Sequence, residues 1–167
     1  MSQVKCPSCS REFVRRVVRA GLRERLAGWF FIYPFKCQIC GLRFRSFRWG
    51  ARYLRLRADH REYDRMAMNL PVRFRGDGFD GAGSVTDISM GGCRFTTESK
   101  LNTRAIMRLE FKVSDDAAPV IVELAVLRDW HNQVAGVEFL RCDPSERERL
   151  QLFVHGLLIG RRSQNPI

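Results

Sequence analysis

The sequence predicts a mainly β chain, in which a small cysteine-containing module precedes a six-stranded antiparallel β-barrel and a C-terminal helix. Three observations support this fold class. The 167 residues have globular proportions, with 45% apolar and 28% charged residues. Two Cys-x-x-Cys pairs lie in the N-terminal third. Short strand-like segments separated by turn residues follow, and six strands at such spacing favour a small closed barrel.

The N-terminal module contains Cys6, Cys9, Cys37 and Cys40 in two paired turns. Two such turns bring four thiolates to one tetrahedral zinc, at about 2.3 Å each. Four cysteines leave no coordination position open for water, so we expect one structural zinc per chain and a zinc ribbon. Four separate core cysteines fit the paired spacing less well, and an iron site stays open.

The elements of this module follow from its sequence pattern. Residues 22–30 predict a short helix, and residues 42–48 alternate aromatic or aliphatic side chains with arginines, as in a strand with one cationic face. Residues 1–57 contain 14 Lys and Arg against two acidic residues, whereas residues 58–167 contain 15 against 16. A basic module of this kind attracts nucleic acid, anionic lipid or an acidic protein surface, and charge alone does not choose among them.

Six strands and one helix are expected in the rest of the chain. The predicted strands are residues 70–75, 82–88, 93–97, 105–113, 120–129 and 134–140. Asp143 is placed to cap a helix that begins at Pro144, with Glu146 as the second half of a capping box. Apolar residues at helical spacing then form one face, and Gly160 is the expected end.

These elements suggest four segments. We expect the zinc ribbon over residues 1–50, a charged linker over 51–65, the barrel with its helix over 66–160, and a tail over 161–167.

No segment of the sequence predicts a membrane span. The longest uncharged apolar run has ten residues, 26–35, and contains Pro34, whereas a span needs about 20. The first residues contain no apolar signal core, so we expect a cytoplasmic protein. Its cysteines then belong to a reducing compartment, where paired Cys-x-x-Cys indicates metal binding rather than disulfides.

Two short motifs lie beside predicted barrel strands. Arg61 and Arg65 precede the first strand, and the segment Asp87-Ile-Ser-Met-Gly-Gly92 covers the end of the second strand and the turn to the third. Arginines four residues apart recur throughout this chain, so the spacing alone carries little weight. Solvated arginines beside an Asx-type turn are the alternative for either motif by itself.

Both motifs in this order resemble the PilZ domain family. The resemblance extends to Asn-Leu-Pro-Val-Arg-Phe at residues 69–74, to Gly-Val-Glu-Phe at 136–139 and to the closing helix, and it covers about residues 58–160. It implies a PilZ-type six-stranded barrel that binds the bacterial second messenger cyclic di-GMP. The arginines would grip the ligand from a flexible segment, and the other motif would contact it from the barrel. The candidate ligand-binding residues are Arg61, Arg65, Asp87, Ser89, Gly91 and Gly92.

The chemistry of these side chains agrees with that ligand. The planar fork of arginine pairs with phosphate oxygens and with the O6 and N7 acceptors of guanine. The Asp87 carboxylate accepts hydrogen bonds, which suits the N1–H and N2–H₂ donors of guanine. Ser89 is small enough to bond a phosphate or the turn backbone. Gly91 and Gly92 permit unusual dihedrals and close approach to the main chain.

The sequence favours a sensor over two other classes of protein. We expect a cyclic di-GMP receptor that transmits binding to an unidentified downstream protein by ordering the linker and reorienting the two domains. The alternative is a nucleic-acid-binding regulator that uses the basic ribbon. An anionic membrane surface is a further candidate partner of the ribbon. An enzyme is not expected, because no nucleophile–base pair is recognisable and no catalytic residue is proposed.

Overall fold

The computed structural model describes residues 4–49, 63–102, 104–114 and 117–164. The chain divides into two compact units, Met1–Asp64 and Arg65–Ile167. The predicted fold class is confirmed, since the fold is mainly β with a closed six-stranded antiparallel barrel, a C-terminal helix and an N-terminal cysteine cluster. The linker boundaries remain a prediction, because residues 50–62 lie outside the described residues.

The first unit is built on a three-stranded antiparallel sheet in the order β1-β2-β3. A helix, α1, and a 3-10 turn lie between the first two strands. The elements are β1 (Val14–Arg16), α1 (Gly21–Ala27), the 3-10 turn (Gly28–Phe30), β2 (Ile32–Cys37) and β3 (Arg43–Phe47).

The helix predicted over residues 22–30 is shorter than expected. Its α-helical part ends at Ala27 and continues as the 3-10 turn. Phe31 then adopts a left-handed conformation with φ of 56°, which ends the helical path and starts β2. The cationic strand is present as β3, and its Phe44 ring stacks on Phe35 of β2 with centroids 6.0 Å apart.

The second unit is the barrel, closed in the order β4-β5-β6-β9-β8-β7 with every neighbouring pair antiparallel. Each strand overlaps one of the six predicted ranges. The strands are β4 (Met66–Gly76), β5 (Phe79–Ser89), β6 (Gly92–Thr96), β7 (Ile106–Phe111), β8 (Val120–His131) and β9 (Val134–Arg141).

Side-chain alternation fills the barrel and leaves its outside charged. In β4, Val72 and Phe74 are buried while Arg73 and Arg75 are exposed, as period-two alternation requires. The Phe74 ring contacts Phe95 of β6 with centroids 5.3 Å apart. The barrel therefore has its own apolar core.

The last helix, α2, spans Pro144–Gln164. As predicted, Asp143 caps it, since Oδ1 accepts the backbone N–H of Ser145 at 2.9 Å. The second half of the predicted capping box is wrong. Glu146 Oε2 accepts the N–H of Ile121 in β8 at 2.9 Å, and Arg149 also binds this carboxylate. The Glu146 carboxylate thus accepts a hydrogen bond from β8 instead of from the N-terminal end of its own helix.

Residues Leu150, Val154 and Leu158 of α2 are buried, and the helix contacts β8 and β4. The expected stop at Gly160 is wrong, since α2 continues to Gln164. Among the described residues, no helix is both long and apolar enough to cross a membrane.

Candidate functional site

The turn between β5 and β6 carries most of the second motif. Ser89 ends β5 and Gly92 begins β6. The Ser89 hydroxyl donates to the carbonyl of Gly92 at 3.0 Å and accepts the N–H of Gly91 at 3.4 Å. Ser89 is only 4% exposed. Its hydroxyl therefore holds the turn in shape.

The two glycines of the turn do not adopt left-handed backbone, contrary to the expectation of unusual dihedrals. The need for glycine at position 92 has another cause. A Cβ at Gly92 would lie 2.2 Å from the carbonyl oxygen of Val137 in β9, which real side chains do not tolerate. Glycine at this position lets β6 and β9 approach each other.

Arg65 and Asp87 meet in the structure. Arg65 Nη1 donates to Asp87 Oδ1 at 2.9 Å, and the two side chains are 25% and 20% exposed. Arg65 directly precedes β4, and Asp87 follows an irregularity in β5 after Val85. The pair lies at the barrel surface and remains accessible to solvent. Arg61 lies outside the described residues.

Arg94 is a neighbour of this pair that the sequence analysis missed. In the register of β5 and β6, Asp87 lies opposite Arg94. The flanking residues Cys93 and Phe95 are buried, so alternation turns the Arg94 side chain toward the outer surface. If the two residues between Ser89 and Gly92 are taken as the hairpin turn, the strand register places Arg94 opposite Asp87.

Cys93 lies behind the Arg65–Asp87 pair and is fully buried. Burial raises the pKa of its thiol well above the usual range, and the Asp87 charge raises it further while Arg65 opposes that effect. Cys93 therefore remains a neutral thiol, as expected of a small buried hydrophobic residue.

The four N-terminal cysteines form a second candidate site. All are free thiols, and their sulfur atoms lie within 4.8 Å of one another. The Sγ atoms of Cys6 and Cys40 are 3.5 Å apart, and those of Cys9 and Cys37 are 3.6 Å apart. Sulfurs about 2.3 Å from a central zinc in tetrahedral geometry lie about 3.8 Å from one another. The cluster therefore fits a zinc ion, whereas a disulfide needs about 2.05 Å.

The two cysteine turns share one backbone geometry. The N–H of Cys6 donates to the carbonyl five residues later at 3.0 Å, and the N–H of Cys37 does the same at 2.9 Å. The residue after each second cysteine, Ser10 or Gly41, adopts a left-handed conformation. In the second turn, the N–H of Ile39 donates to Cys37 Sγ at 3.4 Å. A hydrogen bond of this kind stabilises a thiolate.

The residues that directly precede Arg65 contact the second cysteine turn. The Asp64 N–H donates to Oε1 of Gln38, between Cys37 and Cys40, at 2.7 Å. The Asp64 carboxylate pairs with Arg15, and the Tyr63 ring lies 4.4 Å from the ammonium of Lys36. Asp64 is thus held by the first unit, and the next residue along the chain belongs to the barrel.

The barrel, its closing helix and the paired motif residues are typical of one family. The PilZ domain family matches residues 59–156 of this sequence. This chain belongs to the PilZ domain family. PilZ domains are typically binding domains without enzymatic activity. No curated protein matches the chain.

Three solved structures show similarity to this PilZ protein. The inhibitor of motility MotI/DgrA from Bacillus subtilis is 16% identical with a TM-score of 0.53, and the match covers 78% of this chain and 66% of that one. The PilZ domain of CeSA from a cellulose-synthesizing bacterium is 17% identical, with a TM-score of 0.44 and coverages of 59% and 98%. The Legionella protein Lpg0364 is 13% identical, with a TM-score of 0.41 and coverages of 60% and 99%. The likeness to MotI/DgrA concerns the fold alone.

Proposed function

We propose that this protein is a cyclic di-GMP receptor whose ligand binds at Arg61, Arg65 and the end of β5. The observation that carries the proposal is the meeting of Arg65 and Asp87 at 2.9 Å, at an accessible edge of a PilZ barrel. The guanidinium of Arg65 and the carboxylate of Asp87 are neighbours there. Cyclic di-GMP offers hydrogen-bond acceptors for the guanidinium and donors for the carboxylate.

Arg65 and Asp87 are placed to bind two adjoining edges of one guanine base. O6 and N7 lie on one side of the base and take the arginine, while N1–H and N2–H₂ lie on the adjoining side and take the carboxylate. The existing ion pair holds both groups near the required positions. Ligand binding then exchanges one charged hydrogen bond for several, which favours the complex.

The turn contributes through its backbone in this proposal. Ser89 fixes the turn by its bonds to Gly91 and Gly92. Gly91 is partly exposed and offers its main chain to the ligand, whereas the buried Gly92 lets β6 pack against β9. Arg61 supplies a second guanidinium for a phosphate or the other guanine. Arg94, opposite Asp87, is close enough in register to add a third positive charge.

Binding is transmitted along the chain in our proposal. Arg65 contacts the ligand, while Asp64 is bonded to Gln38 in the second cysteine turn and to Arg15. No residue separates the two anchored positions. A ligand that repositions Arg65 therefore acts on the segment held by the first unit, and the first unit presents the result to a downstream partner.

The cysteine cluster serves structure in this proposal. Cys6, Cys9, Cys37 and Cys40 hold one zinc, and a four-thiolate ion offers no position for a substrate. The first unit is too small to be stable on its apolar core alone, so the metal supplies much of its folding energy. Free thiols suit a reducing compartment, and we place the protein in the cytoplasm.

Amide hydrogen exchange tests both binding and transmission. With cyclic di-GMP, we expect slower exchange at residues 63–65 and 87–92, and a change at residues 37–40 that extends through Gln38. Gln38→Ala removes the acceptor of the Asp64 N–H and is expected to keep the protection at 87–92 while reducing the effect at 37–40. Protection at 87–92 with no change at 37–40 in the wild type would refute transmission. No protection anywhere would refute binding.

A further inference from the structure

Helix α1 buries an acidic residue and exposes its leucines, the reverse of the usual arrangement. Its charged residue Glu24 faces the unit and is 6% exposed, whereas Leu22 and Leu26, one turn apart, are 71% and 53% exposed. A surface helix ordinarily buries its leucines and exposes its acids. The apolar side of α1 is therefore exposed.

The contacts of Glu24 explain this orientation. Its carboxylate accepts the N–H of Ala20 at 2.6 Å and pairs with Arg43 at 2.8 Å and Arg45 at 3.7 Å. Burial alone would raise the pKa of Glu24, but the Ala20 N–H and Arg43 outweigh it and lower the pKa below its usual value. The carboxylate stays charged and fixes the rotation of α1, which turns the leucines outward.

The apolar side of α1 continues onto the 3-10 turn. Trp29 and Phe30 follow the helix directly and are 82% and 72% exposed. The guanidinium of Arg19 lies beside Gly28, since a Cβ there would come within 2.6 Å of it. Arg23 is exposed on the helix itself. Two leucines and two aromatic rings are thus accompanied by cations.

Residues 4–49 of the first unit carry almost no unpaired negative charge. Residues 4–49 contain 11 Lys and Arg, and their two acids, Glu12 and Glu24, are both paired with cations of the unit. Four zinc-bound thiolates lower the net charge by about two, which leaves the unit strongly basic. The surface therefore complements an anionic partner.

We propose that Leu22, Leu26, Trp29 and Phe30, which we call the α1 surface, dock onto an anionic lipid bilayer. Interfacial segments combine exposed Leu, Trp and Phe with Lys or Arg, which is the composition found here. Single-stranded nucleic acid uses aromatic rings and cations but gains little from exposed leucines. The two leucines therefore favour lipid. This inference does not depend on the ligand that the barrel binds.

Vesicle co-sedimentation of the full, zinc-loaded chain tests the α1 surface. We expect binding to vesicles of phosphatidylcholine and phosphatidylglycerol at three to one, and much weaker binding to phosphatidylcholine alone. Leu22→Gln with Leu26→Gln is expected to weaken binding about tenfold or more, because the apolar contact is lost while the charge is kept. The control Leu152→Gln changes a leucine of α2 that is 58% exposed and should have no effect.

A second measurement tests the α1 surface without requiring the leucine variant to fold. Brominated lipids quench tryptophan at bilayer depth, and we expect quenching in the wild type that falls when Trp29→Phe removes the proposed reporter. Equal vesicle binding by the leucine variant and the wild type would overturn the proposal. So would absent quenching, or tight binding to a single-stranded oligonucleotide or an acidic protein without binding to anionic vesicles.

Discussion

Replacing Arg65 with alanine is the change that most directly challenges the proposed ligand site. The substitution removes the guanidinium that donates to Asp87 at 2.9 Å and leaves that carboxylate without this partner. Both side chains remain partly exposed, at 25% and 20%, so the loss of the pair itself costs little stability. We therefore expect a folded barrel whose affinity for cyclic di-GMP is reduced.

The size of this loss follows from the bonds that Arg65 would make. A hydrogen bond to a charged group contributes about 1.5–3 kcal/mol, and a factor of ten in Kd corresponds to about 1.4 kcal/mol. One lost bond then raises Kd by about 10–150-fold, and a bidentate contact raises it further. Arg65→Lys keeps the charge but not the planar fork, so we expect an intermediate loss.

Calorimetric titration with cyclic di-GMP measures these losses, and circular dichroism checks that each variant is folded. The matched control is Arg73→Ala, which removes an exposed arginine from the outer face of the adjoining strand β4. We expect its Kd to match that of the wild type. A loss as large in Arg73→Ala as in Arg65→Ala would show that general positive charge, and not the motif, binds the ligand.

Three further predictions concern stability and metal. Gly92→Ala is expected to destabilise the barrel by about 1–3 kcal/mol in urea unfolding, because its Cβ would lie 2.2 Å from the carbonyl of Val137; wild-type stability would contradict this account. Ser89→Ala is expected to cost about 1 kcal/mol in the same assay even without ligand, since it removes a bond that shapes the turn; an unchanged midpoint would refute that role. Cys37→Ser or chelation is expected to remove one zinc per chain and unfold the first unit while the barrel still melts cooperatively, and metal-free protein with an ordered first unit would contradict it.

The barrel could be predicted because its signal is local. Alternation of Val72 and Phe74 with Arg73 and Arg75 needs only the period of a strand, and turn residues mark where each strand ends. The cysteine pairing is local in the same sense, since each turn brings its own two thiols together.

Features that depend on pairing between distant segments could not be predicted in this way. Glycine is required at position 92 because of Val137, which is far away in sequence. Glu146 bonds Ile121 of β8 instead of its own helix end. In each case a tertiary neighbour competes with the local rule and prevails.

Helix α1 shows that the buried side of a short helix is also decided by a tertiary neighbour. A surface helix ordinarily buries its leucines, but in α1 the buried Glu24 pairs with Arg43 of β3 and the leucines are exposed. The ion pair crosses from the helix to a strand that the sequence places well after it. Only the folded unit determines which side of α1 faces solvent.

Isothermal titration of the wild-type, zinc-loaded chain with cyclic di-GMP tests the central claim most directly, with GMP as the comparison ligand. A saturable heat is predicted for cyclic di-GMP and a much weaker one for GMP, since a single nucleotide offers one guanine and one phosphate. The same heat should disappear in Asp87→Ala, which removes the acceptor for the guanine N–H groups. An absence of saturable heat from the folded wild type, or equal binding by Asp87→Ala, would contradict the proposal that this PilZ barrel is a cyclic di-GMP receptor.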